Sequence, residues 1–297
     1  MRLIGMLAIV LSFGVTVFAQ VAPTPSPGRT RGSSVIGDNA GYERLRSIEM
    51  INAKNRNRDH PLLDPKTGIY RRPGKEETQV LAVETSVLAK YSAFLKEPNT
   101  GVVKFSAAAE CVSDTDTVVA VEKCLPYKIP GAGIAYSFRT ESYRLPRLAD
   151  LILHEGVFKT GGVFQQVVIV DLGDLTIEDV SIETRGMKYL TEYKPVKNSD
   201  EFTRNEEEII NGIEHDGFLY RKGQLVKENV AYGLRSIAYR GKYIRSIDGV
   251  AYDELELDKR RDVIVAFRVV GIDPAGNVTI VWKRLRDVEA PKLKVIK

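Results

Sequence analysis

From Gly101 onward, hydrophobic and polar residues alternate with a period of two, the spacing of a strand with one face buried. Segments of this kind read GVVKFSAAAEC, TVVAVEKCLPY, IAYSFRT, LADLIL, VFQQVVIVDL, DVSIET and MKYLTEY in the first half. FLYRK, ENVAYGLRSIAY, KYIRSI, GVAYDELEL, DVIVAFRVV and NVTIVWKRL follow in the second. The last pair is the clearest: Val263, Val265, Phe267 and Val269 share one face, as do Val278, Ile280 and Trp282, with GIDPAGN as the turn between them. Helical spacing occurs in three places: a short charged stretch over 41–57, the apolar stripe of Glu77–Lys96 broken only by Glu84, and a segment over 200–212. Strands that do not alternate with helices predict antiparallel sheets rather than a doubly wound α/β fold. The expected class is therefore mainly β, sandwich-like, with two or three helices, the main one preceding the sheets.

The N-terminus has a different pattern. Arg2 precedes an apolar run from Leu3 to Phe18, and Val17–Ala19 supplies small residues for cleavage, so 1–19 reads as a secretory signal peptide. The run is short for a membrane span. No later segment has the length or apolarity to cross a bilayer, so no transmembrane segment is expected after cleavage. Residues 20–75 form a basic linker rich in Pro, Ser, Gly and Arg, containing the 41–57 helix. Residues 76–297 form the β-rich globular region, with a division near 200–215 left open. Export places the chain in an oxidising compartment, where its two cysteines, Cys111 and Cys124, are expected to pair across a short loop.

Charge adds little about partners. The formal net charge is +4, and losing Arg2 with the signal lowers it by one, too mild an excess to imply a polyanion. Nucleic acid is not an expected partner. The stretch LRSIAYRGKYIRSIDG gathers Arg235, Arg240, Lys242 and Arg245 with two tyrosines. With Gly241–Lys242 as a two-residue turn, Arg240 would face Tyr243 and Arg235 would face Asp248. The candidate ligand patch is then the tip: Arg240, Tyr243 and Arg245.

Strings that carry known chemistry are missing: GxSxG, HExxH, a Walker loop and GxGxxG do not occur, and KTGG at Lys159–Gly162 has no SxxK to accompany it. His154 beside Glu155 and His215 beside Asp216 are the acid–base candidates, with Asp150 and Asp171 as further carboxylates. Adjacent strand residues point to opposite faces, which weakens each pair as a dyad. Asp171, Asp174, Glu178 and Asp179 lack the alternation of a calcium loop. Asn277-Val-Thr fits a glycosylation sequon. No cofactor or metal is predicted. The expected function is that of an exported, non-enzymatic binding or structural protein, its partner a protein or glycan of the cell envelope. The competing expectation is an extracellular hydrolase whose site is assembled from scattered His and Asp residues.

Overall fold

The computed structural model describes residues 71–112, 122–127, 129–247 and 250–294. The signal peptide, the 20–70 part of the linker and the 41–57 helix lie outside the described residues. The dominant feature is a seven-stranded antiparallel sheet in the order β1-β14-β13-β10-β6-β8-β7. Its strands are β1 (Thr100–Phe105), β6 (Gln165–Gly173), β7 (Ile213–His215), β8 (Phe218–Arg221), β10 (Ala231–Ala238), β13 (Arg261–Ile272) and β14 (Val278–Glu289). A second sheet, in the order β3-β2-β4-β5-β9, contains β2 (Ala135–Ser137), β3 (Ser142–Tyr143), β4 (Leu151–His154), β5 (Val157–Lys159) and β9 (Gly223–Leu225). β11 (Ile244–Ile247) and β12 (Val250–Asp253) make a separate hairpin.

Alternation explains why the sheets stack. Val263, Val265, Phe267 and Val269 of β13 and Val278, Ile280 and Trp282 of β14 meet Tyr136, Leu151, Leu153 and Phe158 of the smaller sheet in one buried cluster. Aromatic edges join the two layers: Phe105 to Phe158, Tyr136 and Phe138 to Trp282, and Phe158 to Phe267. The opposite face of the large sheet is also covered. Val170, Ile264, Ala266 and Val281 pack there with Tyr91, Phe94, Ile177, Val180, Leu190 and Ile209.

That second covered face corrects the expected helix over 77–96. The segment is instead α1 (Lys75–Thr78), a 3₁₀ turn at Gln79–Leu81, α2 (Thr85–Lys90) and a 3₁₀ turn at Phe94–Lys96, with Ala82 and Glu84 extended between them. Leu81 packs in the core between the sheets, whereas Tyr91 and Phe94 pack on the far face of the large sheet. The segment serves both faces of the sheet whose edge is β1, which one straight helix cannot do. The longest helix among the described residues is α4 (Ser199–Asn211), capped by Asn198, whose side chain accepts from Glu201 N–H; it falls among the strands rather than before them.

Three further expectations change. DVSIET is turn rather than strand, and MKYLTEY contains α3 (Lys188–Glu192). TVVAVEKCLPY falls partly outside the described residues, and its Glu122–Tyr127 portion is 3₁₀ helix. Gly241–Lys242 is not a hairpin turn. Both edges of β10 are already occupied, by β6 and β13, and all eight of its residues are buried, so 244–247 cannot fold back on it. Arg235 accordingly pairs with Asp262 of β13, at 3.0 and 2.7 Å; its expected partner Asp248 lies outside the described residues.

Polar groups inside the stack are joined into a network. Asp150, fully buried, accepts from Arg139 Nε at 2.8 Å, Gln165 Nε2 at 2.7 Å and Ser236 Oγ at 2.6 Å on one oxygen; Ser137 Oγ and Arg139 N–H bond the other. Arg139 also reaches Asp258, at 2.6 Å, and the carbonyls of Leu148 and Lys259. Arg260 joins at Asp258, and burial lowers its guanidinium pKa to about 10.

Candidate functional site

At one end of the stacked sheets, turns from both layers enclose a cleft of about 630 Å³. Three walls form it. The first is the chain leaving β1, with Ala107, Ala109 and Glu110 as lining residues; the second is the β4–β5 turn, with Leu153, His154, Glu155 and Gly156; the third is the β13–β14 end, with Ile272, Gly276 and Val278. Val226 completes the lining.

Each wall has a local cause. Glu155 and Gly156 have φ of 51° and 70°, the left-handed pair that a two-residue hairpin between His154 and Val157 requires. Val226 N–H donates to Gly156 O at 2.9 Å. Its flanks are held by Tyr232, whose hydroxyl donates to Leu225 O and accepts from Lys227 N–H. Burial pushes the Tyr232 phenol up to about 12, so it remains a donor across the physiological range. The first wall hangs on Asn277, whose Oδ1 accepts from Ala107 N–H at 2.8 Å while its Nδ2 donates to Asp273 at 2.9 Å. Beyond Glu110 the same wall is tied by the Cys111–Cys124 disulfide, with Cα atoms 5.4 Å apart. The sequon asparagine is thus a clamp in the fold, with both ends of its amide engaged.

The floor is apolar, with Leu153, Val226, Ile272 and Val278 beside two alanines. Among the described residues, the ionisable side chains of the lining are His154, Glu155 and Glu110, with no lysine or arginine. Lys159 Nζ lies 3.0 Å from His154 Nδ1. An ammonium can only donate, so Nδ1 is the accepting side of this contact. The Glu155 carboxylate is farther from Nδ1, at 3.6 Å, and its side chain is 82% exposed.

The residues expected to form a ligand patch lie at the far end of the large sheet. Arg240 pairs with Glu289, the last residue of β14, whereas the cleft is lined by Val278, its first. The strand that joins these ends is twelve residues long, roughly 35 Å at a strand's rise. Arg245 lies 3.3 Å from the buried Glu254, which also takes Arg147 at 2.5 Å. Tyr243 donates its N–H to Asp253 and sets its ring edge against Phe164. Both arginines therefore have carboxylate partners within the chain.

The histidine–acid pairs are explained by turns. His215-Asp216-Gly217 repeats the His154 arrangement, with φ of 51° and 78° at the two turn residues between His215 and Phe218. His215 packs against Tyr189 and Tyr220 on the large sheet, apart from the smaller-sheet hairpin that carries His154. Asp150 is committed to Arg139, and Asp171 to Gly173 N–H and Lys227. Asp174 meets Arg268 and Asp179 accepts from Thr176. Among the described residues no group of three His, Cys, Asp or Glu side chains could hold a metal. His60 lies outside the described residues.

Compared with protein-family models, with curated proteins and with solved structures, the chain matches none. Sequence reasoning missed Glu110, Val226, Ile272 and the clamping role of Asn277, because these positions converge only through tertiary pairing. Part of the hairpin signal was present in the sequence, since Gly156 between two strands accepts the left-handed conformation that the second turn residue needs.

Proposed function

We propose that this is an exported, non-enzymatic binding protein of the cell envelope or extracellular space, with the end cleft as its ligand site. The observation that carries the reading is the cleft's composition: an apolar floor, a charged mouth and a single histidine whose Nδ1 faces a lysine rather than a nucleophile. Its volume lies within the range of small-molecule sites, about 300–1,000 Å³. Export is supported by the apolar N-terminal run and by the disulfide, a bond at home in oxidising compartments.

Binding of Nile red, a neutral apolar dye, tests the site. Saturable binding to the purified protein is expected, and Ile272→Arg, a change at a residue 40% exposed, is expected to abolish it without lowering the melting temperature. A panel of ester, glycoside and peptide substrates should show no turnover. Turnover lost on His154→Ala would replace this reading with the hydrolase.

A further inference from the structure

We propose that a second cavity, at the free edge of β1, binds a short extended peptide by adding it to the large sheet. The cavity holds about 280 Å³ and shares no lining residue with the end cleft. Val102, Val103 and Lys104 of β1 form one side, and Tyr136, Ser142 and Tyr143 of the smaller sheet form the other.

The backbone of β1 sets the chemistry. Among the described residues β1 pairs on one edge only, with β14, in a register without a bulge. Arg284 N–H donates to Asn99 O at 2.8 Å, so Gly101, Val103 and Phe105 in turn direct their N–H and C=O groups towards β14. The residues between them direct theirs away. Two of these outward groups are already used: the Tyr143 hydroxyl donates to Lys104 O at 2.6 Å, and Ser106 N–H donates to Gly133 O at 3.0 Å. Among the described residues, the N–H and C=O of Val102 have no partner. They form half of an antiparallel pair in which two residues exchange both of their backbone bonds. The N–H and C=O of one residue in an extended peptide complete such a pair.

A side chain marks the same cavity independently. Tyr136 is 7% exposed, yet its hydroxyl makes no hydrogen bond among the described residues. Three of the groups whose charge the phenol senses, Glu141, Tyr143 and Arg72, line the cavity, which places the hydroxyl at its wall. Burial pushes the phenol well above its ordinary pKa, so it stays protonated and can donate. An unpaired donor in such a place is costly, and a further peptide carbonyl would satisfy it. Leu81 and Val83 add apolar surface for an aliphatic side chain.

The test uses the full chain, isotope-labelled at nitrogen, and N-acetylleucine methylamide, one residue with a peptide bond on each side. Saturable shifts of the Val102 and Lys104 amide signals are expected. N-acetyl-N-methylleucine methylamide lacks the N–H that would donate to Val102 O, and it should bind about tenfold more weakly. Tyr136→Phe should weaken the unmethylated probe about fivefold. The melting temperature of the free variant should stay level or rise, because no hydrogen bond of the fold is lost. Absence of a saturable shift, equal affinity for the two probes, or Tyr136→Phe binding as tightly as the parent overturns the proposal. A melting temperature sharply lowered by Tyr136→Phe also overturns it, by showing the hydroxyl to be bonded within the fold. Shifts confined to the Ile272 and Val278 amides would put the probe in the end cleft, so that this site falls and the cleft reading stands.

Discussion

Replacing Asp150 by alanine would strand Arg139 in the middle of the two-sheet core. Its guanidinium would keep Asp258 and two carbonyls but lose one of its two carboxylates, while Gln165 and Ser236 would each lose a bond. Removing one partner of a fully buried ion pair costs about 3–5 kcal/mol. Asp150→Ala is therefore expected to lower the urea midpoint sharply, and Asp150→Asn, which keeps acceptor capacity, to lower it less. Equal, small shifts for both would show that the network contributes little. Gly101 makes the same point through shape. An added Cβ there would lie 2.6 Å from the Trp282 indole that covers it, so Gly101→Ala should cost about 1–3 kcal/mol by overpacking, read from the same melts. Neither residue announces itself in the sequence. A period-two pattern places Trp282 on the core face, but which glycine it covers depends on β14 pairing with β1.

At the scale of elements, the strands of the large sheet other than the short, partly exposed β7 were legible because their faces are buried and their alternation is strong. The two longest, β13 and β14, match the expected core faces residue for residue. Local periodicity failed where one segment serves two layers. In 75–96 the apolar residues recur at helical spacing, yet Leu81 and Phe94 belong to cores on opposite sides of the sheet, so the chain bends at Ala82–Glu84. LRSIAYRGKYIRSIDG misled for a related reason: glycine beside lysine suits a hairpin turn, but β10 is a central strand with no free edge. The pairing of Cys111 with Cys124 needed no such tertiary knowledge. A bridge across a loop this short stabilises by about 2–3 kcal/mol on the chain-entropy account. A Cys111→Ser/Cys124→Ser variant should therefore melt earlier. It should also exchange the Ala109 and Glu110 amides faster in deuterium exchange, because the disulfide ties the wall of the cleft that they form. Unchanged exchange at these amides would mean that Asn277 alone holds that wall.

The molecule as a whole should respond to acid through a few carboxylates whose folded environments differ. The bond from Lys104 holds Glu84 below the ordinary carboxylate range, and the bond from Arg71 does the same for Glu77. Burial pulls Asp273 upward, but bonds from Asn277 and Lys104 outweigh it and leave its pKa lowered. In each case the folded state binds its proton later than the unfolded chain does. The stability they contribute is therefore present above the ordinary values of 4.5 for Glu and 3.8 for Asp, and is lost as pH falls through the lowered folded values. Glu206 behaves oppositely: burial raises its pKa more than the Lys222 pair lowers it. It favours folding below its ordinary value, and that contribution is lost as pH rises through its raised folded value. Two variants separate these signs. Glu84→Gln should be less stable than the parent at about pH 6, and the gap should narrow as pH falls through the lowered Glu84 value, where the parent's carboxylate takes up its proton. For Glu206→Gln, stability relative to the parent should rise as pH increases from about 4 to about 7. Urea midpoints at these pH values provide the measurement. A Glu84→Gln gap that stays constant with pH would mean its interaction with Lys104 does not depend on charge, and the acid response of the fold would have to originate elsewhere.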